Sequence, residues 1–425
     1  MDTICALATA PGRSGVAVIR VSGPKAFEVC EKIAGRLPDP GAHRVRTLRD
    51  ASGNKIDKAL VLVFSAPHSF TGEDVVEFQT HGSVAVTREV LRSLCDEHGL
   101  RAAQAGEFTM RALQNGQLDL TQVEGLSDLL QAETQQQLRQ SLRAYGGEFT
   151  AFAEKLRTDI RRSAALIEAT IDFSDEDIPS GVFEEARSLL QDVTQQITLM
   201  INGIPAAERI RTGFEVALLG RPNTGKSTLF NYIVGREAAI TSDIAGTTRD
   251  VIEARIDLDG LPVTLLDTAG IRSSDDPLEK QGIERAESRA AEADLRVVLI
   301  GEEGLDLSEH EATIFCRAQD DAGQFDEGIS GVTGYGVGRL MNEIKALLSE
   351  RVASAGLASR ERHRAALSRA LASLQRSQAL LNSEEQADLV ADDLRSAIYH
   401  LEELVGRIGV EDLLGDIFSS FCIGK

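Results

Sequence analysis

The sequence predicts an α/β plus α protein: a small N-terminal α/β domain, then a helical domain into which a second α/β domain is inserted. Three observations support this architecture. Short β-rich runs alternate with one clear helix over residues 1–117, and apolar residues recur at helical spacing over residues 118–212. Strands, glycine-containing loops and helices then alternate over residues 213–348, and residues 349–425 are again helical in pattern. A chain of 425 residues has room for the domains this requires, at roughly 150 residues each.

The first 117 residues contain three predicted strands and one predicted helix. Runs of β-branched and apolar residues predict strands at Val16–Val21, Lys58–Phe64 and Asp74–Thr80, each followed by Gly, Pro or Ser. Apolar spacing of three and four predicts a helix over Val84–Glu97. This part of the chain therefore reads as a small α/β domain.

The two helical regions flank the inserted domain. From Leu138 to Ile160 apolar residues recur every three or four positions and predict one continuous apolar stripe, which needs partner helices to cover it. Phe183–Ile201 predicts such a partner, followed by a sharp turn at Ile204-Pro205. The helical pattern that resumes after Arg351 supplies the remainder of the bundle.

The composition is that of a globular protein with an acidic bias. Hydrophobic residues make up 42% of the chain, which excludes a disordered or low-complexity protein. With 45 Lys and Arg against 66 Asp and Glu the net charge is −21, so we expect weak binding of nucleic acid by the isolated chain. No run approaches the ~18 apolar residues of a membrane helix, and the N-terminus lacks a secretion signal. These features predict a cytoplasmic protein without membrane contact.

The cysteines do not form a recognisable framework. The five are scattered and form no CxxC pair, which disfavours both disulfides and a zinc site. Cys5, Cys30, Cys95 and Cys316 lie among apolar neighbours and are expected to be buried, reduced thiols. Cys422, close to the C-terminus, is a candidate functional thiol of unknown role.

A phosphate-binding loop follows the first strand of the inserted domain. The apolar run Phe214–Leu219 leads directly into GRPNTGKST at Gly220–Thr228, which is GxxxxGK[ST] between a strand and a helix. In such a loop the backbone N–H groups face phosphates, the lysine (Lys226) reaches the β and γ oxygens, and the hydroxyl of Ser227 binds Mg²⁺. The loop residues predicted to bind nucleotide are Asn223, Thr224, Gly225, Lys226, Ser227 and Thr228.

Two further segments have the order and spacing of GTPase switches. The strand Val263–Asp267 ends in the sequence DTAG, which places an acid near the metal and a glycine N–H near a γ-phosphate. Between this strand and the phosphate loop lies a polar loop, Ser242–Asp250, in which Thr248 would complete the magnesium shell. Together the segments predict a Ras-like P-loop GTPase domain. They add to the nucleotide site Ser242, Asp243, Ile244, Ala245, Gly246, Thr247, Thr248, Asp267, Thr268, Ala269 and Gly270.

The residue after the DTAG glycine predicts an unusual route to hydrolysis. Ras-like proteins place there a Gln that orients the attacking water, but this chain has Ile271. Asn223 and the Gly-Thr-Thr segment offer oxygen ligands for a monovalent cation that could take the place of an arginine finger. Glu279 and Glu284 could orient water, although a solvated helix face is the simpler interpretation of either residue taken alone.

The whole chain resembles the tRNA-modification GTPase family MnmE, also called TrmE. The motifs that carry the resemblance are ATAPGR at Ala8–Arg13, VIRVSG at Val18–Gly23, SFTGED at Ser69–Asp74, GEFT at Gly106–Thr109, LDL at Leu118–Leu120, the GTPase motifs, and FCIGK at Phe421–Lys425. The resemblance implies a homodimer formed through the N-terminal domain, which binds 5-formyl-tetrahydrofolate or a related folate. It also implies a heterotetramer with the FAD protein MnmG (GidA), which adds aminomethyl-type groups to carbon 5 of the wobble uridine. We expect tRNA to be bound mainly through that partner.

The resemblance also implies roles for single residues. Glu279 would orient the attacking water. The family's folate contacts fall on Arg20, Glu77 and Lys425, with Gln117 in place of a lysine; its potassium ligands fall on Asn223, Ser242, Ile244 and Thr247. Taken by itself, Arg20 at the end of an apolar strand fits either an anion such as a folate carboxylate or an ion pair with Glu77.

The guanine-reading motif departs from the family pattern. The usual NKxD, whose Asp accepts hydrogen bonds from guanine N1 and N2, is replaced by CRAQDD at Cys316–Asp321. Asp320, with Asp321 as the alternative, is the candidate for the base contact, and Ser330-Gly331-Val332 replaces the later Ser-Ala-Lys-like loop. Because a base edge left without partners costs roughly 1–3 kcal/mol, the sequence predicts a weakened preference for guanine.

Three functions are compatible with these features. The first is a GTP-hydrolysing enzyme that uses Mg²⁺, K⁺ and a folate to modify wobble uridine with an FAD partner. The second is a regulatory P-loop switch with weakened guanine specificity and little or no modification activity, which the N-terminal domain and the FCIGK tail disfavour. The third is a relative whose nucleotide domain has relaxed to bind ATP or to hydrolyse slowly, suggested by the missing NKxD.

Overall fold

The computed structural model describes residues 2–172, 181–236, 252–267, 288–301, 312–381 and 387–408, together with Phe418, Phe421 and Gly424. The chain divides into two compact units, one comprising Met1–Ser127 and Glu402–Lys425 and the other Asp128–Leu401. The described elements confirm the predicted α/β plus α class. The domain limits 1–117, 118–212, 213–348 and 349–425 stay predictions. Among the described residues no helix is long and apolar enough to cross a membrane.

The N-terminal unit is built on a six-stranded sheet with the order β3-β4-β5-β2-β1-β6. Its strands pair antiparallel except β1 with β6, which are parallel. The strands are β1 Ile4–Leu7, β2 Ser14–Ser22, β3 His43–Arg49, β4 Lys55–Phe64, β5 Val75–Gly82 and β6 Arg101–Ala102. The helices are α1 Ala26–Ala34, α2 Val84–Arg92 with a π-helical turn Ser93–Glu97, α3 Glu107–Gln114 and α4 Leu120–Gln131.

The core of this unit follows the alternation of its strands. Ile19 and Val21 of β2, with Phe78 of β5, are buried together with Val29 of α1 and Val90 of α2. Because successive strand residues point to opposite faces, the residue between Ile19 and Val21 projects to the other side of the sheet. That residue is Arg20, so the strand pattern itself separates the core from the candidate folate site.

The second unit contains a bundle and a second sheet. Its helices are α5 Gln135–Tyr145, α6 Glu148–Asp172, α7 Gly181–Thr212, α8 Lys226–Arg236, α9 Val337–Val352 and α10 Glu361–Leu380, and α11 spans Ala387–Leu404. Its strands are β7 Phe214–Gly220, β8 Ile252–Leu258, β9 Leu261–Asp267, β10 Leu295–Ile300, β11 Thr313–Ala318 and β12 Gly328–Ile329. They form a sheet with the order β12-β11-β10-β7-β9-β8, parallel except for β8.

The bundle differs from the sequence prediction at two places. The single predicted stripe is broken by the turn at Gly146-Gly147 between α5 and α6, and Leu138 and Leu142 are exposed. The turn predicted at Ile204-Pro205 was wrong, because α7 continues to Thr212 with Pro205 inside it. Buried side chains on both sides of Pro205, including Ile204 and Ile210, hold the helix together through the proline.

Candidate functional site

The phosphate loop connects the central strand β7 to the start of α8. Gly220, the last residue of β7, has φ +150, and a Cβ there would lie 2.8 Å from the Leu299 carbonyl oxygen and 2.9 Å from the Thr224 hydroxyl. Only glycine fits this position. The Thr224 hydroxyl donates to the Arg221 carbonyl at 2.9 Å, which closes the loop on itself. The GxxxxGK[ST] segment therefore forms the tight strand-to-helix turn that the motif predicts.

Lys226 is folded into the loop rather than extended into solvent. Its side chain is buried, and Nζ donates to the carbonyl oxygens of Gly220 at 2.8 Å and Arg221 at 2.9 Å. Burial lowers the pKa of the Lys226 ammonium, and the nearby negative charge of Asp267 opposes that effect. The ammonium is thus held at the position where phosphate oxygens would be its partners.

Asp267 and Ser227 present hard oxygen ligands at the same edge of the sheet. Asp267 ends β9, is 1% exposed, and pairs in register with Leu218 of β7, two residues before Gly220. Ser227 lies exposed in the first turn of α8. A carboxylate and a hydroxyl beside a phosphate loop suit Mg²⁺, which prefers oxygen ligands and is usually completed by phosphates and water.

A cavity of about 310 Å³ lies beside the loop and fits a nucleotide base. The residues that line it are Thr224, Gly225, Thr228, Leu229, Leu299, Ala318, Gln319, Asp321, Ile329, Gly331 and Val332. Backbone atoms at the start of α8 pack closely against Gly331, since a Cβ there would lie 2.5 Å from the Leu229 nitrogen. The Ser330-Gly331-Val332 segment therefore borders the cavity although it lacks the Ser-Ala-Lys sequence.

The structure gives the two adjacent aspartates different surroundings. The Asp320 carboxylate accepts the backbone N–H groups of Gln324 and Phe325, each at 2.9 Å, and these bonds lower its pKa. Asp320 is thereby the acceptor that shapes its own turn, and its assignment to the nucleotide site stays a prediction. Asp321 lines the cavity, and the Ser330 hydroxyl donates to its carboxylate.

Ser330 fixes Asp321 from a buried position. The Ser330 side chain is 1% exposed. Its oxygen accepts the backbone N–H groups of Val332 at 3.1 Å and Thr333 at 3.0 Å, and its hydroxyl donates a hydrogen bond to the Asp321 carboxylate. The sequence placed Ser330 in the site but gave no sign of this role.

Several predicted site residues fall on segments that the structure does not describe. They are Ser242, Asp243, Ile244, Ala245, Gly246, Thr247, Thr248, Thr268, Ala269, Gly270, Ile271, Glu279, Glu284, Cys422 and Lys425. Their assigned roles stay predictions.

The N-terminal unit holds a second candidate site around Arg20. Arg20 and Glu77 face each other across β2 and β5, and Arg20 Nε donates to Glu77 Oε1 at 2.8 Å. The Arg20 guanidinium carbon also lies 5.2 Å from the ring centre of Phe70 and 5.5 Å from that of Phe108. The ion pair, one of the two interpretations of Arg20, is therefore formed, and two aromatic rings flank it.

Gln117 and the C-terminal tail approach parts of the same unit. A Cβ at Gly72 would lie 3.2 Å from Gln117 Cγ, so Gln117 borders the loop that carries Phe70. Phe418 and Phe421 pack against Val123, which anchors the tail. There is no room for a side chain at Gly424, because a Cβ would overlap the Leu7 carbonyl oxygen. Leu7 adjoins Ala6, the residue that pairs with Arg20 across β1 and β2.

A buried ionic cluster in this unit was not predicted from the sequence. Arg111 is 4% exposed and donates to the Asp2 carboxylate at 2.7 Å, to Glu107 at 3.0 Å and to Glu73 at 3.1 Å. Arg101 donates to both Asp2 and Glu107 as well. The cluster fixes the N-terminus of β1 against α3, beside the Arg20 site.

The cysteines largely agree with expectation. Cys5, Cys30, Cys95 and Cys316 are all free thiols. Burial raises the pKa of the thiols of Cys5 and Cys30, and that of Cys316 to about 11. Cys95 is only partly buried.

A strand, a phosphate loop ending in a buried lysine, an acid on the neighbouring strand and a base-sized cavity together define a P-loop nucleotide-binding domain of the GTPase class. Two models of known protein families match the chain. The model described as the GTP-binding protein TrmE N-terminus matches residues 3–117, and the one described as the MnmE helical domain matches residues 120–422. The chain belongs to the MnmE family of tRNA-modification GTPases.

Curated relatives extend the match to the complete chain. The tRNA modification GTPase MnmE of Roseobacter denitrificans is 57% identical, and that of Dinoroseobacter shibae is 51% identical, each over 100% of both chains. A solved structure of Era from Aquifex aeolicus is 25% identical over 32% of this chain and 56% of that one, with a TM-score of 0.24.

Proposed function

We propose that this chain hydrolyses GTP in a potassium-dependent reaction and, with the FAD protein MnmG, adds an aminomethyl-type group to carbon 5 of wobble uridine from a formyl-tetrahydrofolate donor. The observation that carries the proposal is the occurrence in one chain of two separate polar sites. One is the Lys226 phosphate loop, and the other is the Arg20–Glu77 pair between two aromatic rings. The first suits a triphosphate and the second suits a flat, polar heterocycle.

The phosphate loop supports the hydrolytic half of the proposal. On binding GTP, Lys226 would exchange the carbonyls of Gly220 and Arg221 for phosphate oxygens, which are stronger partners because they carry charge. Ser227 and Asp267 would hold Mg²⁺, which neutralises charge on the β and γ phosphates. Asn223 would contribute an oxygen to K⁺ with Ser242, Ile244 and Thr247, while Thr248 and Glu279 would complete the metal shell and orient water.

The Arg20 site supports the one-carbon half. Glu77 could accept N–H groups from a pteridine ring, Arg20 could pair with a carboxylate or carbonyl, and the partly exposed Phe70 provides a face on which a ring could stack, while the buried Phe108 supports Arg20 from the core. Gln117 would contribute a neutral hydrogen bond where the family has a lysine. The tail that reaches Leu7 would deliver Lys425 and Cys422 to the same neighbourhood.

The net charge supports a division of labour over tRNA. A chain with a formal charge of −21 repels a polyanion, so tRNA would be bound mainly through MnmG in a heterotetramer containing the homodimer of this chain. Submicromolar affinity of the isolated chain for tRNA at physiological salt would contradict this part of the proposal.

The proposal is tested by mass spectrometry of wobble nucleosides from cells that lack the protein and carry one of three plasmid copies. The wild-type copy should restore the C5 modification. Lys226→Met, which keeps the length of the side chain but cannot bind phosphate, should not restore it, and neither should Arg20→Met. If Lys226→Met restored the C5 modification, nucleotide hydrolysis would not be required for the modification. Unchanged modification in cells without the protein would instead favour a regulatory switch.

A further inference from the structure

A cavity of about 500 Å³ lies in the N-terminal unit. Its lining comes from the end of β1 and the loop after it, from β2, and from α2 with its π-helical turn. The apolar part of the lining includes Leu7, Pro11, Ala17, Val84 and Leu91. A thiol, that of Cys95, lines the same cavity. A small apolar molecule that enters the cavity therefore meets a nucleophilic sulfur.

A second thiol lies directly behind Cys95. The sulfurs of Cys95 and Cys5 are 3.5 Å apart, although 90 positions separate the two residues in sequence. Cys95 is partly buried, whereas Cys5 is 0% exposed. Burial raises the pKa of the Cys5 thiol, so Cys5 is protonated and its S–H can donate to the Cys95 sulfur. An oxidant in the cavity thus reaches Cys95 before it reaches Cys5.

The backbone around the two cysteines allows their sulfurs to approach. Closing the gap to the S–S length of about 2.05 Å needs a movement of about 1.5 Å. Cys5 is held on both sides, by pairing with Val21 of β2 and with Ala102 of β6. Cys95 instead lies in the middle of the π-helical turn Ser93–Glu97, a rare geometry that is frequent at functional sites. The turn that carries Cys95 is therefore the part expected to move.

We propose that Cys95 and Cys5 are an oxidation site, in which an organic hydroperoxide in this cavity oxidises Cys95 and Cys5 converts the product to a disulfide. In the first step the Cys95 sulfur attacks the terminal peroxide oxygen and the O–O bond breaks. The products are a sulfenic acid on Cys95 and an alcohol, which takes the thiol proton. In the second step the Cys5 sulfur attacks the Cys95 sulfur and the S–O bond breaks.

The second step releases water, because the departing hydroxide takes the Cys5 proton. Over the two steps the two thiols lose two electrons and the hydroperoxide gains them. Cys95 is thus the attacking thiol and Cys5 the resolving thiol, an order set by which of the two lines the cavity. The inference does not depend on GTP hydrolysis or on tRNA modification.

Peptide mapping of the full-length protein tests the inference, because trypsin places each of these thiols in a separate peptide. Cys5 falls in Met1–Arg13, Cys30 in Ala26–Lys32 and Cys95 in Ser93–Arg101. The reduced protein is treated with cumene hydroperoxide or with hydrogen peroxide, and the remaining thiols are blocked with N-ethylmaleimide. Digestion without reductant and mass spectrometry then identify each disulfide and the rate at which each free thiol disappears.

In the wild-type chain we expect a Cys5–Cys95 disulfide that dithiothreitol reverses, with Cys95 oxidised at least about tenfold faster than the buried thiol of Cys316. In Cys5→Ala, Cys95 should stop at the sulfenic acid and react with dimedone. In Cys95→Ala, Cys5 should stay reduced. Cys30→Ala is the matched control, since it removes another buried thiol of the same core and should leave the disulfide intact. The wild-type map remains decisive even where a core substitution affects folding.

A Cys5–Cys30 disulfide, or a disulfide between Cys95 and Cys422, would overturn the inference. So would oxidation of Cys95 no faster than that of Cys316, or unchanged oxidation of Cys5 in Cys95→Ala. The apolar lining should also favour an organic peroxide. Relative to the amino acid cysteine in solution, Cys95 should prefer cumene hydroperoxide to hydrogen peroxide by at least about threefold. Absence of that preference would overturn the assignment of an organic hydroperoxide to this cavity.

Discussion

Replacing either of two neighbouring aspartates by asparagine should have opposite consequences. Asp321 faces the base cavity, whereas the carboxylate of Asp320 is used by the backbone of its own turn. In Asp321→Asn the side chain loses its charge and one of the two acceptor oxygens that guanine N1–H and N2–H₂ need. In Asp320→Asn the cavity keeps its carboxylate, and the amide can replace only one of the two acceptors of the turn.

The magnitudes follow from the kind of bond that each change removes. A hydrogen bond to a charged group contributes about 1.5–3 kcal/mol, so Asp321→Asn should weaken GTP roughly 10- to 150-fold and leave ATP almost unaffected. The wild-type preference for GTP over ATP should itself be about ten- to a hundredfold, because Ala318 stands where NKxD has an asparagine. Asp320→Asn should cost about 1 kcal/mol of folding free energy and leave the preference within about threefold.

Equilibrium competition against a labelled GDP analogue measures both affinities, with XTP as a third ligand. Xanthine carries a carbonyl at position 2, to which the asparagine amide can donate, so Asp321→Asn should prefer XTP to GTP. The reasoning would be refuted if Asp320→Asn lost guanine preference while Asp321→Asn kept it. A wild-type preference above about ten-thousandfold would mean that the site contains further base contacts.

Three other predictions concern ionic interactions. Arg111→Met should lower the free energy of unfolding in urea by about 3 kcal/mol, because Glu107 and Glu73 stay buried with one cation fewer; Arg143→Met, in an exposed ion pair, should change it by less than about 1 kcal/mol. Hydrogen bonds from Arg101, with a further contribution from Arg111, lower the pKa of Asp2 from 3.8 to about 2. Because the pKa of Asp2 is lowered in the folded protein, its carboxylate stabilises the fold at pH values above its ordinary pKa. The free energy of unfolding should therefore fall as the pH is lowered from about 4 towards 2, and it should fall less in Arg111→Met. Replacing K⁺ by Na⁺ should slow GTP hydrolysis at least about tenfold, which is ~1.4 kcal/mol of activation free energy, without weakening nucleotide binding. Equal rates of hydrolysis in the two salts would exclude a role for K⁺ in the mechanism.

The sequence was most informative where structure depends on adjacent residues. The phosphate loop, the strands β2, β4 and β5, and the α2 helix are each determined by spacing within a few residues. It was least informative where partners come from far along the chain. Arg111 contacts Asp2 from 109 positions away, and no local pattern marks that pairing. The continuation of α7 through Pro205 likewise depends on packing that compensates for the missing N–H.

The different roles of Asp320 and Asp321 follow from a local pattern in the sequence. A carboxylate that accepts N–H groups four and five residues later closes a turn, and Gln324 and Phe325 stand at those positions after Gly323. Only Asp320 stands at the start of this DxxGxF pattern, so the spacing assigns the turn to Asp320 and leaves Asp321 for the cavity. β11 ends at Ala318, two residues before Asp320.

The degraded NKxD motif nevertheless leaves a built site, because its tasks are distributed over other residues. The base-reading carboxylate is kept in Asp321, its orientation comes from Ser330, and the connection to the phosphate loop comes from Gln319. Ala318 has only a methyl side chain. A group that an asparagine at this position would hydrogen-bond must therefore bond to backbone or water instead. The carboxylate, its orientation and the contact with the phosphate loop are present, and only the asparagine side chain is missing. We expect this to cost one neutral hydrogen bond, about 1 kcal/mol, rather than guanine recognition as a whole. We therefore expect Ala318→Asn to raise the preference for GTP over ATP by about fivefold, and an unchanged preference would show that Gln319 and Ser330 already supply all that the site requires.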